Sequence, residues 1–252
     1  MNEPNPEDSF ELLFQDEHYI AINKPHSILV HRTGLSQDTR FVLQLLRDQI
    51  GRRVYPIHRL DRATSGVLIF GKSAEAASRL GRLFMDKSVE KRYWAVVRGF
   101  TKDNDAIDYP LEDPETGKGM MPAVTHYTKI AQTELEAAIG LRYPTARFSL
   151  VEARPETGRR HQIRKHFAHL RHPVIGDVRH GDNKHNNFFR DVWGIPRLLL
   201  HAVSMRFEHP HTGQIIDIEA KMDDLFLKAL EILNLSGHTK PALSRFSNVE
   251  SL

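Results

Sequence analysis

The order in which strand-like and helix-like segments succeed one another sets the strongest limit on the fold of this 252-residue chain. Residues 10–14 (FELLF), 19–22 (YIAI), 66–70 (GVLIF) and 92–97 (RYWAVV) read as strands, from β-branched and aromatic content with partial alternation. Residues 123–130, 146–153, 198–207 and 214–220 read the same way. Helical periodicity is confined to three places. Residues 39–50 carry a stripe of Phe41, Val42, Leu45, Leu46 and Ile50 behind Asp38 as a cap. Residues 74–88 place Ala77, Leu80, Leu83 and Phe84 on one face behind Ser73, and 159–171 repeat Ile163, Phe167 and Leu170. A doubly wound sheet needs a helix between successive parallel strands, and here the strands outnumber the helices. The pattern predicts an α+β fold: a mixed, mainly antiparallel β-sheet core with flanking helices. Residues 176–197 show neither period and read as a long functional loop.

No linker or repeat divides the chain, so residues 10–235 are expected to form one domain, with 1–9 and 236–252 as loose tails. No apolar run approaches the roughly 18 residues that span a bilayer. The acidic N-terminus is not a secretory signal. Cysteine is absent, which removes disulfides, thiolate zinc sites and cysteine nucleophiles and fits a reducing cytoplasm. The net charge is only +3, but its distribution is uneven. Residues 40–62 hold six arginines against Asp48 and Asp61, while residues 151–172 hold Arg154, Arg159, Arg160, Arg164, Lys165 and Arg171 against two glutamates. Two such clusters suit a polyanion such as RNA, although charge runs are usually solvated faces.

The string His58-Arg59-Leu60-Asp61-Arg62-Ala63-Thr64-Ser65-Gly66 ends at an apolar strand, which puts Asp61 in a loop at the strand's entrance. On generic grounds an aspartate between arginines is a turn or an ion pair. The whole string, however, resembles the HRLDxxTSG signature of the large pseudouridine synthase family that modifies ribosomal and transfer RNA. Lys91-Arg92-Tyr93-Trp94-Ala95 and Gly158-Arg159-Arg160-His161-Gln162-Ile163-Arg164 resemble that family's second and third motifs. Asn23-Lys24-Pro25, His172-Pro173-Val174-Ile175-Gly176-Asp177 and Leu199-Leu200-His201-Ala202 agree as well. The resemblance runs from about residue 10 to 235.

What the resemblance implies can be set out residue by residue. Asp61 is the catalytic carboxylate, Tyr93 lies against the target base, and Arg164 pairs with the aspartate. Arg59 enters the RNA as the uridine leaves the stack, since a base must be extruded before chemistry can reach it. Desolvation by a stacked base disfavours a carboxylate anion and an adjacent guanidinium restores it, which gives Arg164 its reason. His58, Arg62, Arg159, Arg160 and Lys165 are the further RNA contacts expected. Thr64 and Ser65 are read as holding the turn. His161, His166, His169 and His172 lie close in sequence, yet no HExxH is present, so phosphate contacts or solvent are expected in place of a metal. No metal and no other cofactor is implied.

The resemblance begins too near the N-terminus to leave room for the small RNA-binding domain that precedes many catalytic domains of this family. Asp108-Tyr109-Pro110-Leu111, Pro122-Ala123-Val124-Thr125-His126-Tyr127, Arg142-Tyr143-Pro144-Thr145 and Leu170-Arg171-His172-Pro173 resemble the branch acting on position 65 of transfer RNA. At position 171 many other branches have glycine where this chain has arginine. The expected partner is therefore tRNA, with no protein partner or membrane, and a monomer in the cytoplasm. The rival expectations are the same reaction on ribosomal RNA or another stem-loop, and a non-catalytic RNA-binding protein of the same fold.

Overall fold

The computed structural model describes residues 9–31, 40–112, 117, 119–140 and 143–238. Asp38, Arg142 and most of both expected tails lie outside the described residues. In chain order the elements are β1 (Leu12–Gln15), β2 (Tyr19–Lys24), α1 (Val42–Ile50), β3 (Tyr55–Pro56), β4 (Ser65–Gly71), α2 (Ala74–Met85) and β5 (Glu90–Arg98). There follow β6 (Asn104–Asp108), β7 (Leu111–Glu112), β8 (Met120–Met121), β9 (Val124–Leu135), β10 (Ala146–Pro155) and α3 (Gln162–His169). The last are α4 (Asn183–Asp191), β11 (Leu200–Glu208), β12 (Ile215–Glu219) and α5 (Asp224–Ile232).

One ten-stranded sheet runs β1-β2-β4-β11-β5-β10-β9-β6, with β12 added to β11 and β3 to β4, and β7 pairs β8 separately. Every pairing is antiparallel except β4 with β11. The mixed, mainly antiparallel α+β fold is thus present.

Strand alternation assigns the two faces. Leu68 and Phe70 of β4 pack with Val42 and Leu46 of α1, whereas Val67 and Ile69 pack with Ala76 and Leu80 of α2. On β5, Ala95 and Val97 meet Ile163 and Phe167 of α3, while Trp94 and Val96 meet Phe189 of α4 and Phe226 of α5. Tyr93 packs against both the α1 and the α3 clusters. It therefore marks the seam where they meet on one face of the sheet.

Local signals explain most helix ends. Ser73 accepts from Ala76 N at 3.0 Å and so caps α2, as expected. Helix α1 ends on Gly51 in the left-handed region. Arg171 also adopts that region after α3, at φ 62°, which explains why a glycine suits the position. The expectation of a structureless loop over 176–197 is overturned, because α4 occupies its middle. Asp182 caps α4 by accepting from Lys184 N, and Phe189 is fully buried among sheet residues. The polar sequence of α4 hid this. Packing of one aromatic face, rather than periodic hydrophobicity, holds the helix.

Candidate active site

Asp61 lies in the loop that enters β4, and this loop is tied from below. Lys24, at the end of β2, is fully buried and donates to the carbonyls of Pro25 (2.9 Å), Arg62 (3.2 Å) and Thr64 (2.8 Å). Burial pulls its ammonium down to about 7, with Asp61 opposing the shift. Three acceptors for three N–H bonds favour the charged form. Beside it, Arg197 Nη2 donates to Ser65 Oγ at 2.9 Å, and Ser65 Oγ lies 2.8 Å from His201 Nδ1. His201 Nε2 lies 3.1 Å from Ala220 O, which can only accept. The direction of the relay follows: His201 donates from Nε2, and its Nδ1 accepts the Ser65 hydroxyl proton. Burial holds His201 down at about 4, so it is neutral. Ser65 is accordingly a turn-holding hydroxyl with its proton committed.

The parallel contact of β4 with β11 brings backbone unusually close here. Gly66 has φ 110°, and a Cβ on it would sit 2.2 Å from Ala202 O. Only glycine fits, and the last residue of the HRLDxxTSG string is thereby explained.

Above the loop, Arg164 of α3 reaches two carboxylates. Its Nε and Nη2 each donate to Asp177 at 2.7 Å, and its Nη1 donates to Asp61 Oδ2 at 3.1 Å. The Asp177 side chain is 1% exposed, Arg164 8% and Asp61 16%. Burial pushes the Asp177 carboxyl up, but Arg164 and the N–H groups of His180 and Arg179 outweigh it and hold Asp177 below the usual carboxylate range. Arg164 is likewise held above its ordinary value: burial opposes the charge, and Asp177 and Asp61 restore it. The fork on Asp177 fixes the guanidinium plane and turns Nη1 toward Asp61. Asn186 of α4 secures the Asp177 turn, accepting from Gly176 N at 2.7 Å and donating to Asp177 O at 2.9 Å.

Tyr93 lies at the seam, near enough to Asp61 to feel its charge. Burial and the Asp61 charge both raise its phenol pKa, so it stays protonated at neutral pH. Arg59, Arg62 and Arg160 are exposed, and Arg159 and Lys165 partly so. Arg62 Nε donates to Ser27 O at 3.1 Å, and Arg159 Nε to Pro122 O at 3.2 Å.

His58 has partners inside the fold. Its ring stacks on Phe84 at 4.8 Å, and its Nε2 accepts from Ile69 N at 3.2 Å. Burial, with Lys91 adding to it, takes its pKa to about 3. The ring is used inside the fold. The four clustered histidines likewise do more than meet phosphate or solvent. His166 is fully buried, with Nε2 2.9 Å from Tyr109 O and Nδ1 3.0 Å from Thr125 Oγ1. Gln162 donates to the same Thr125 hydroxyl at 3.0 Å, so one face of α3 is stapled to β9. His172 Nδ1 lies 2.8 Å from Arg98 O, His169 stacks on Tyr109 at 3.7 Å, and His161 Nδ1 lies 2.9 Å from His180 Nε2. Among the described residues, no group of three His, Cys, Asp or Glu side chains is arranged to hold a metal.

Residues 18–169 match the family described as RNA pseudouridylate synthase. The chain belongs to the RNA pseudouridylate synthase family. A tRNA pseudouridine synthase C from Vibrio vulnificus (strain CMCP6) is 44% identical over 231 residues, covering 88% of this chain and 94% of that protein. Another, from Salmonella typhimurium, is 45% identical over 230 residues, covering 87% and 88%. The fold is also shared with two human structures. RNA Pseudouridylate Synthase Domain Containing 4 gives a TM-score of 0.69 at 22% identity, covering 89% of this chain and 93% of its own. RNA Pseudouridylate Synthase Domain Containing 1 gives 0.66 at 23%, covering 88% and 86%.

For a pseudouridylate synthase the arrangement is chemically suitable. The carboxylate is fixed by a buried guanidinium, a protonated phenol lies within range of its charge, and Arg62, beside it in sequence, is exposed. No helix among the described residues is long and apolar enough to cross a membrane. The sequence pattern gave no role to Asp177, Lys24, His180, Arg197 or His201. Asp177 and His201 lie in strings that resemble the family, but nothing local distinguishes a buried Asp or His from one in an ordinary turn or strand.

Proposed function

We propose that this protein isomerises a uridine of transfer RNA to pseudouridine, with position 65 as the target and Asp61 as the catalytic residue. The observation that carries the reading is the Arg164 guanidinium, forked onto buried Asp177 and extended to Asp61. Both relatives described above are named as tRNA pseudouridine synthases, and they extend over nearly the whole chain.

In the reaction the uridine leaves the RNA stack and the C1′–N1 bond breaks. The uracil turns, C5 bonds to C1′, C5 loses a proton and N1 gains one. Asp61 acts either by attacking C1′ or by removing the C2′ proton to give a glycal. Tyr93, protonated, stacks on the base and can lend its hydroxyl proton. Arg59 fills the space left by the base, where a flat guanidinium can stack on neighbouring bases. Arg62, Arg159, Arg160 and Lys165 meet phosphates. The protein works in the cytoplasm as a monomer, and needs neither metal nor nucleotide.

Pseudouridine mapping on tRNA from cells lacking the protein, before and after the purified enzyme is supplied, tests reaction and position together. The expected result is one uridine, at position 65, converted by the wild type and untouched by Asp61→Asn, with RNA binding retained by the variant. Turnover by Asp61→Asn at the wild-type rate would remove the catalytic assignment.

A further inference from the structure

Arg164 engages one oxygen of Asp61, and the other oxygen faces a histidine pair. His161 Nε2 lies 3.9 Å from Asp61 Oδ1, while its Nδ1 is 2.9 Å from His180 Nε2. His161 and Arg164 are three residues apart at the start of α3, so both address the same carboxylate. His161 occupies the left-handed region, at φ 56° and ψ 27°, with no side-chain cap on the helix. A non-glycine residue in that region is strained. Strain of that kind concentrates where the surrounding structure needs one side-chain direction.

His180 is held in turn by Asp177, whose Oδ1 accepts from His180 N at 3.0 Å. Asp61, Arg164, Asp177, His180 and His161 therefore close a ring of polar contacts around the carboxylate.

Two protonation patterns are open to the histidine pair. If His161 donated from Nδ1, its Nε2 lone pair would point at the Asp61 anion. If His180 donates from Nε2, His161 accepts at Nδ1 and turns an Nε2–H toward Asp61. Only the second is electrostatically favourable. We infer that His180 locks His161 in the Nε2–H tautomer, making His161 a positioning residue that supplies the second N–H to Asp61. The present 3.9 Å is too long for a hydrogen bond, and a closure of about 1 Å on substrate binding makes one.

The charged groups around the pair are consistent with two neutral rings. Asp61 and Asp177 favour protonation, and Arg160, Arg164, Lys165 and Arg179 oppose it. Burial is the largest influence, and it takes His161 down to about 4 and lowers His180 as well.

The inference rests on Asp61 being the catalytic residue, and its test separates the two claims. Histidine-selective ¹⁵N NMR of the free enzyme at pH 7 reads the tautomer without any turnover. His161 is expected as neutral Nε2–H; an Nδ1–H tautomer overturns the proposal whatever Asp61→Asn does. In kinetics, His180→Phe keeps a ring but no donor, and is expected to lower kcat about tenfold or more with KM for tRNA unchanged. His180→Gln can still donate to His161 Nδ1 and should recover most of the loss. Equal kcat for the two variants, or an effect confined to KM, refutes the role.

Discussion

Replacing Asp177 with asparagine isolates what the buried fork contributes, because the side chain keeps its shape and loses only its charge. Asp177 Oδ1 accepts from Arg164 Nη2, Arg179 N and His180 N, and Oδ2 accepts from Arg164 Nε. An asparagine oxygen can keep the first three. Its NH₂ would then face the Nε–H of Arg164, replacing a charge-assisted bond by two opposed donors. Removing one partner of a buried pair typically costs about 3–5 kcal/mol. Arg164 retains Asp61 as a second anion, so the lower end, about 3 kcal/mol, is expected. For a chain of this length that lowers the melting temperature by roughly 6–12 °C. Urea unfolding of both proteins, with the slope m compared, measures the loss directly. The pH dependence supplies a second check. The folded Asp177 carboxyl lies below its ordinary value, so its stabilisation is complete above the unfolded pKa and lost as pH falls through the folded one. The gap between wild type and Asp177→Asn should hold from pH 7 to about 4 and narrow below that. A gap under about 1 kcal/mol at pH 7, or one indifferent to acid, would refute a charge-based role for the fork.

Two further outcomes are expected. Lys24→Met leaves the carbonyls of Pro25, Arg62 and buried Thr64 under the Asp61 loop without their donor, costing roughly 1–3 kcal/mol and lowering turnover; an unchanged urea midpoint would contradict the anchoring role of that ammonium. Activity in excess chelator should equal activity without it, and strong inhibition would reopen the question of a metal held by histidine.

The sequence exposes those features that depend on near neighbours. β4 is legible because Val67, Leu68, Ile69 and Phe70 form a short apolar run, and α2 because Ser73 caps a periodic face. α5 carried a signal that went unread: Asp223 accepts from Phe226 N as its cap, and Phe226, Ala229 and Leu230 are buried. α4 had little signal, because Asn186 and Phe189 are its buried residues and, Phe188 apart, the rest is polar. The site is harder still. Asp61 and Arg164 lie 103 residues apart, and no local pattern joins them; only the family resemblance paired them in advance. Charge clusters also misled by composition. Arg52 donates to Lys72 O and Arg154 to Thr128 Oγ1, so part of each cluster is spent inside the protein surface. Nothing local in Asn23-Lys24-Pro25 announces a buried lysine, and only topology places it beneath three carbonyls.

The stretch 176–197 bears on how the carboxylate is kept in place. A lid over the site would be expected to have few buried contacts, so that it could open at little cost. Here Asp177 and Phe189 are buried, Asn186 bonds to backbone on both sides of the Gly176 turn, and a Cβ on Gly176 would lie 1.9 Å from Arg197 O. Those contacts fix the segment against the sheet and make it the support for Arg164. From the other side, Lys24 and the Arg197–Ser65–His201 relay fix the loop that carries Asp61. Buried polar groups are stable only when satisfied, so the two networks tolerate few alternative arrangements. A carboxylate held between two such networks needs little reorganisation when a base arrives, and electrostatic catalysis depends on that economy. The larger movements that admit the uridine must then come from the RNA and from the exposed arginines, while the elements around Asp61 shift by no more than the roughly 1 Å that brings His161 to it.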